Sequence, residues 1–174
     1  MAQEPRIYVA CLASYTNGKL HGAWIDCEGK DSEDLAEEIK TKVLDTSPEP
    51  NSEEYAVHDN KGFGGWSLGE HPSLDEIVTI CEMIKKNSDA YLGASQIAND
   101  IPTLESLIEG FQGIFDSKKE YGAQFWEDSG LIDQIPQNLR SYINYESWVR
   151  DCEYGGDIVI VNVIGKGIYV YSNN

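Results

Sequence analysis

The side chains best able to do chemistry in this chain are scattered. His21, His58 and His71 share no short spacing, and none belongs to a metal-binding pattern such as H-E-x-x-H. His58-Asp59 has the composition of a hydrogen-bonded pair, for which a structural histidine is the simpler account. Ser14, Ser67, Ser95 and Ser129 are read as lacking a nucleophile-elbow context of the G-x-S-x-G kind. Glu127-Asp128 follows Trp126, and an aromatic wall can raise a carboxylate pKa. Adjacent acids need no such reason in a protein that has 30 of them. Cys11, Cys27, Cys81 and Cys152 form no CxxC pair, so neither a metal centre nor a disulfide framework is expected. A small hydrolase or transferase using His58 or Glu127 is the residual catalytic reading. The residues point away from it, towards a protein with no catalytic residue, no metal and no cofactor.

What the chain has in abundance is negative charge. Thirteen Lys and Arg stand against 30 Asp and Glu, a formal net charge of −17. Such an imbalance repels nucleic acid and anionic membranes and attracts basic partners. The excess is spread along the chain: −7 over residues 1–61, −6 over 62–109 and −4 over 110–174. There is no acidic tail behind a neutral body, and a solvated acidic surface is the plain account. A functional account is also available, because duplex DNA carries one charge per ~1.7 Å of axis. At that density 30 carboxylates correspond to roughly 50 Å of duplex, or about 15 base pairs. Helical acids such as Glu33, Glu37 and Glu38 lie ~5–6 Å apart at i,i+4 spacing, close to the phosphate spacing along a strand. The candidate partner-binding acids are Glu33, Asp34, Glu37, Glu38, Glu53, Glu54, Asp75, Glu76, Glu82, Glu105, Glu109, Glu127, Asp128 and Asp133.

The elements that must position these acids read as α+β. Arg6 to Ala13 is a strand candidate, Asn17-Gly18 a hairpin signal, and Lys19 to Asp26 the returning strand. Ser32 is placed to cap a helix in which Leu35, Ile39 and Val43 recur every four residues, and Pro48 and Pro50 end it. Glu53 to Asp59 reads as a third strand. Gly62, Gly64, Gly65 and Gly69 mark a loop, read as a hinge between subdomains; it lacks a phosphate-binding pattern. Ser73 and Glu76 form a capping-box signature before a helix running to Lys86. Further helices are expected from Asp89 to Ile97, from Thr103 through Phe111, and from Lys118 to Asp128. Gly113 to Asp116 is a short strand candidate. The closing strands run from Asp157 to Val163 and from Ile168 to Tyr171. The unalternating run Ile158 to Val161 suggests burial on both faces or a subunit contact. Three small subdomains follow, 1–62, 63–104 and 105–174, strung into an elongated chain. The first 30 residues hold no apolar signal core, and no stretch nears the ~20 residues of a membrane span, so a reducing cytoplasm is the expected setting.

The stretch Leu131 to Glu153 is the most specific. Pro136 and Gln137 lead into an expected helix with Leu139, Tyr142, Ile143, Tyr145 and Trp148 on one apolar face. By physics alone this is an amphipathic helix docked on its own domain. The residues Leu131, Asp133, Pro136, Leu139, Tyr142, Ile143, Asn144, Tyr145 and Glu146, followed by Arg150-Asp151, resemble the antirestriction motif of the ArdA family. The likeness continues through Arg6 to Tyr15, Gly18, His21-Gly22 and Trp24 to Asp26. It includes Ala56 to Asp59, Phe111 to Gly113, and Asp151 to Tyr171, all in the family's order.

The resemblance implies a small acidic DNA mimic of three subdomains, a homodimer joined through its C-terminal part. Carried by mobile elements, such proteins occupy the DNA-binding cleft of type I restriction–modification enzymes and inhibit restriction, and to varying degrees modification. Gln137 and Asn144 are neutral where the family pattern often has acids, and Asn60-Lys61 replaces a Tyr-Glu type pair. If the motif acted by charge, these changes would weaken it; a structural role for the motif is the favoured reading. The alternative function is a non-enzymatic acidic module for another basic, DNA-handling protein.

Overall fold

A computed structural model describes residues 4–173, and the chain divides after Ser88 into two compact units. Each contains a three-stranded antiparallel sheet, with strand orders β2-β1-β3 and β4-β6-β5, so the fold is α+β. Residues 63–88 belong to the first unit and 89–104 to the second.

In the first unit β1 (Arg6–Cys11) lies between β2 (Gly22–Asp26) and β3 (Tyr55–Lys61). Alternation sends Ile7, Val9 and Cys11 inward, and Ile25 pairs with Ile7 from β2. The β1–β2 connection is longer than the expected tight hairpin. A short helix, α1 (Leu12–Thr16), intervenes, and Gly18 takes φ +74° in the turn that follows it. The next helix, α2 (Ser32–Ile39), is capped one residue earlier than expected. Asp31, not Ser32, is the N-cap, and a capping box links its side chain to Asp34.

Leu35, Ile39 and Val43 are all buried against the sheet. Four-residue steps on a helix of 3.6 residues per turn advance by about 40° each, which would carry Val43 off the face. The chain corrects this by widening. Residues Lys40–Leu44 form a π-helical turn in which the Asp45 amide donates to the Lys40 carbonyl at 2.8 Å. The glycine-rich segment after β3 is anchored within this unit, with Phe63, Trp66 and Leu68 buried. The Val57 amide donates to the Glu70 carbonyl at 2.8 Å. α3 (Leu74–Lys86) follows, capped by Ser73, whose hydroxyl accepts from the Glu76 amide at 3.0 Å.

In the second unit β6 (Gly167–Ser172) is central, between β4 (Phe111–Phe115) and β5 (Ile158–Val163). Ile168, Tyr169, Val170 and Tyr171 are all buried, so the doubly covered strand is β6. β5 lies at the edge with Val159 and Ile160 only half-buried, which corrects the expectation of burial on both its faces. One face of the sheet meets α4 (Ser88–Ala94), where the Tyr171 hydroxyl donates to the Ala90 carbonyl at 2.7 Å. α5 (Ile101–Glu109) also contacts β6. Its cap is Asp100, whose carboxylate accepts from the Thr103 amide at 2.7 Å; Thr103 lies inside the helix and Phe111 opens β4. The other face meets α6 (Lys118–Asp128) and α7 (Tyr145–Gly155), around a core of Tyr121, Val149, Ile158, Ile168 and Val170.

Candidate partner-binding surface

The motif stretch is not one helix. It is a 3₁₀ turn at Leu131–Gln134, a second at Gln137–Tyr142, an extended Ile143, and then α7. Arg140 ties the turns together: its Nε donates to the Ile135 carbonyl at 3.0 Å and its guanidinium meets Asp133 at 3.3 Å. The break explains why the expected single apolar face does not form. Leu139 and Tyr142 precede α7 and are 49% and 83% exposed, whereas Tyr145 and Trp148 pack inward. A ladder of rings runs Phe115, Tyr121, Phe125, Trp148, Trp126 and Tyr145, with successive centroids 5.0–6.0 Å apart. It fastens α7 to α6. Burial pushes the Tyr121 phenol up to about 12, and its hydroxyl donates to Gln112 at 2.7 Å.

Asn144 caps α7, its Oδ1 accepting from the Ser147 amide at 3.0 Å. Asn and Asp cap helices about equally well, so the neutral amide keeps this structural task. Lys61 likewise has a task, with its ammonium 4.7 Å from the Trp24 ring centroid and Arg6 at 5.0 Å from the same ring.

All 30 acids are at the surface or half-buried. The four that are half-buried, Glu38, Glu49, Glu76 and Glu153, each have a partner. Lys30 and Lys42 both bind Glu38, Lys19 binds Glu49, and Lys118 binds Glu153. The Trp66 indole donates to Glu76 at 3.3 Å, so this acid serves the loop as well as α3. Partial burial works to raise the Glu38 pKa, but the hydrogen bonds and charge of the two lysines prevail and hold it below the ordinary carboxylate range. The Lys19 ammonium does the same for Glu49.

Among the fourteen candidates, Glu33, Asp34, Glu37, Glu53, Glu54, Asp75, Glu105, Glu109, Glu127 and Asp128 are exposed and form no ion pair among the described residues. Glu82 is shared with Lys86 and Asp133 with Arg140. In the first unit the candidates concentrate on α2 and α3, whose first turns meet where the Ser32 hydroxyl donates to Asp75. Asp31 belongs to this group and was missed, although Asp31-x-x-Asp34 carries a capping signal. In the second unit they lie on α5, at the end of α6 and in the first motif turn. Acids at helix starts also favour their own helix dipoles, so the charge carries little folding penalty there.

No catalytic constellation emerges from the sequence candidates. The His58 ring meets Tyr15 edge-on at 4.9 Å, while the His21 Nε2 bonds the Val43 carbonyl at 2.8 Å. Gly65-Trp66-Ser67-Leu68-Gly69 does have the letters of the nucleophile-elbow pattern, which the sequence reading overlooked. It forms an irregular, glycine-rich loop anchored by Trp66 and Leu68, not a strand-to-helix turn. Among the described residues no three His, Cys, Asp or Glu side chains are grouped to hold a metal ion. No described helix is long and apolar enough to cross a membrane.

Small α+β units with carboxylates kept at the surface define a protein suited to basic partners. The family model for "Antirestriction protein (ArdA)" matches residues 7–164, and the chain belongs to this family of antirestriction proteins. No curated protein matches it.

Proposed function

We propose that the protein is a DNA mimic that occupies the DNA-binding cleft of the methyltransferase core of type I restriction–modification enzymes. The observation that carries this reading is the exposure of the acids: almost all face solvent, and those that are part-buried are the ones already given partners. Arginines and lysines lining a DNA cleft would meet carboxylates in place of phosphates, and long-range attraction would speed encounter. Folded helices hold those carboxylates in place, so no cost arises of the kind incurred when a bound duplex is bent. No catalytic step or cofactor is involved. The active species in this reading is a homodimer joined through residues 105–174, which doubles the charge presented to a bipartite site.

The test is inhibition of DNA cleavage in vitro, with a type I enzyme and a type II endonuclease acting on the same plasmid. Cleavage by the type I enzyme should fall at near-stoichiometric protein while the type II enzyme is unaffected. Equal inhibition of both, or of unrelated DNA-binding proteins, would favour a general acidic binder. No inhibition by folded protein would remove the proposal.

A further inference from the structure

Beside the C-terminal end of α6 the second unit has a cleft of about 300 Å³, walled by the rings of Phe115, Tyr121 and Phe125. Tyr121 is 2% exposed and belongs to the core, and Phe115 and Phe125 are partly buried against that core. The rings meet at angles. Phe115 stands edge-on to Tyr121 with centroids 5.0 Å apart, and Phe125 is tilted to Tyr121 at 6.0 Å. Three exposed side chains, Gln112, Gln124 and Asp128, add oxygen acceptors to this apolar lining.

The charge at this corner is unbalanced. A helix presents partial negative charge at its carbonyl end, where a basic residue is favourable. The last turn of α6 has no basic residue, and the helix ends on Glu127-Asp128. Asp128 forms no ion pair among the described residues. No described lysine or arginine lines the cleft. By contrast, the cleft at the start of α7 is lined by Lys118 and Arg150, and the one beside α3 by Lys30, Lys85 and Lys86. Aromatic walls and an unpaired carboxylate together suit a cation carried on an apolar stem. Arginine fits them better than lysine, because its planar guanidinium stacks on ring faces and has donors enough for several oxygens.

We propose that this cleft receives one arginine side chain of the basic partner, with its guanidinium against the rings and hydrogen-bonded to Asp128. The assignment rests on the reading of the protein as an inhibitor that binds a basic DNA cleft. It adds to the diffuse acidic surface one shaped contact, which imitation of phosphates alone does not supply.

The experiment titrates the whole chain, isotope-labelled at phenylalanine and tyrosine, with the peptide acetyl-Gly-Arg-Gly-amide and follows it by NMR. The ring resonances of Phe115, Tyr121 and Phe125 should shift and saturate in the millimolar range. The same peptide with lysine in place of arginine should bind several-fold more weakly. Asp128→Asn should weaken arginine-peptide binding about threefold, as expected for loss of an exposed charge partner. Asp157→Asn, the same charge change at an exposed residue of this unit outside the cleft, should leave it unchanged. Phe125→Leu, which removes a ring face, should also weaken binding, with its fold checked from the same spectra. Shifts that do not saturate would overturn the proposal, as would equal losses in Asp128→Asn and Asp157→Asn or equal binding of the two peptides. Peptide binding without inhibition of a type I enzyme would remove the DNA-mimic reading and leave the cleft as an arginine site. Inhibition without peptide binding would remove the cleft and leave that reading standing.

Discussion

Replacing Asn144 by alanine removes the side-chain oxygen that holds the Ser147 amide at 3.0 Å. The helix it caps carries Val149, buried at 0% exposure, and Trp148 of the ring ladder. Loss of an N-cap costs about 1 kcal/mol. That lowers the melting temperature by about 2–8 °C, the larger value applying if the second unit melts alone. Asn144→Asp should behave differently. Its carboxylate caps as well as the amide does and lies near the positive end of the α7 dipole, so stability stays within about 0.5 kcal/mol of the parent. Urea titration followed by tryptophan fluorescence measures both, since Trp148 lies on α7 and Trp126 of α6 packs against it. Inhibition of a type I enzyme, corrected for folded fraction, should then be similar for all three proteins. Unchanged stability in Asn144→Ala would refute the capping role. A tenfold tighter inhibition by Asn144→Asp, worth about 1.4 kcal/mol, would show that charge at this position matters directly.

Acid should destabilise the first unit through Glu38. Its folded pKa lies below its unfolded value, so the Lys30 and Lys42 pairings contribute fully above the unfolded pKa and are lost as pH falls through the folded one. Glu38→Gln should flatten that acid limb in thermal melts; an unchanged limb would exclude the pair as its source. Gly93→Ala should destabilise by about 1–3 kcal/mol in urea titration. The added Cβ would sit 2.8 Å from Tyr169 Cβ and against the Tyr171 hydroxyl. Single neutralisations such as Glu105→Gln should change affinity for the target by under ~1 kcal/mol, because exposed pairs are individually weak. The combined Glu33→Gln, Asp34→Gln, Glu37→Gln, Asp75→Asn variant should weaken it measurably. A single exposed acid whose loss abolished binding would contradict a diffuse surface.

Elements whose local signals agree with their packing were legible in the sequence. Lys118–Asp128 forms α6 with the bounds read from its pattern, and Ser73 caps α3 as its spacing suggested. Leu35, Ile39 and Val43 were correctly grouped as one buried stripe, but the π turn that keeps them aligned has no sequence signature. Caps shifted where two candidates competed, since Asp31 and Asp100 outbid Ser32 and Thr103 by sitting one full turn ahead of an available amide. The motif stretch misled because helical spacing counts residues and not turns. Pro136 and the extended Ile143 divide it, leaving Leu139 and Tyr142 in solvent while Trp148 goes inward. The acids were legible as a population, but their partners were not. The Glu38–Lys42 pair has i,i+4 helical spacing, but Lys30 and the Trp66 indole reach Glu38 and Glu76 across turns whose course the sequence does not show.

The most direct measurement of mimicry is displacement. Labelled duplex carrying the recognition site is bound to a type I methyltransferase core and titrated with the protein at two salt concentrations. The account predicts release of the DNA at near-stoichiometric protein, with a salt dependence unlike that of competing unlabelled duplex, because the protein releases no condensed polyphosphate counterions. Folded protein that inhibits cleavage yet leaves the DNA bound would contradict it.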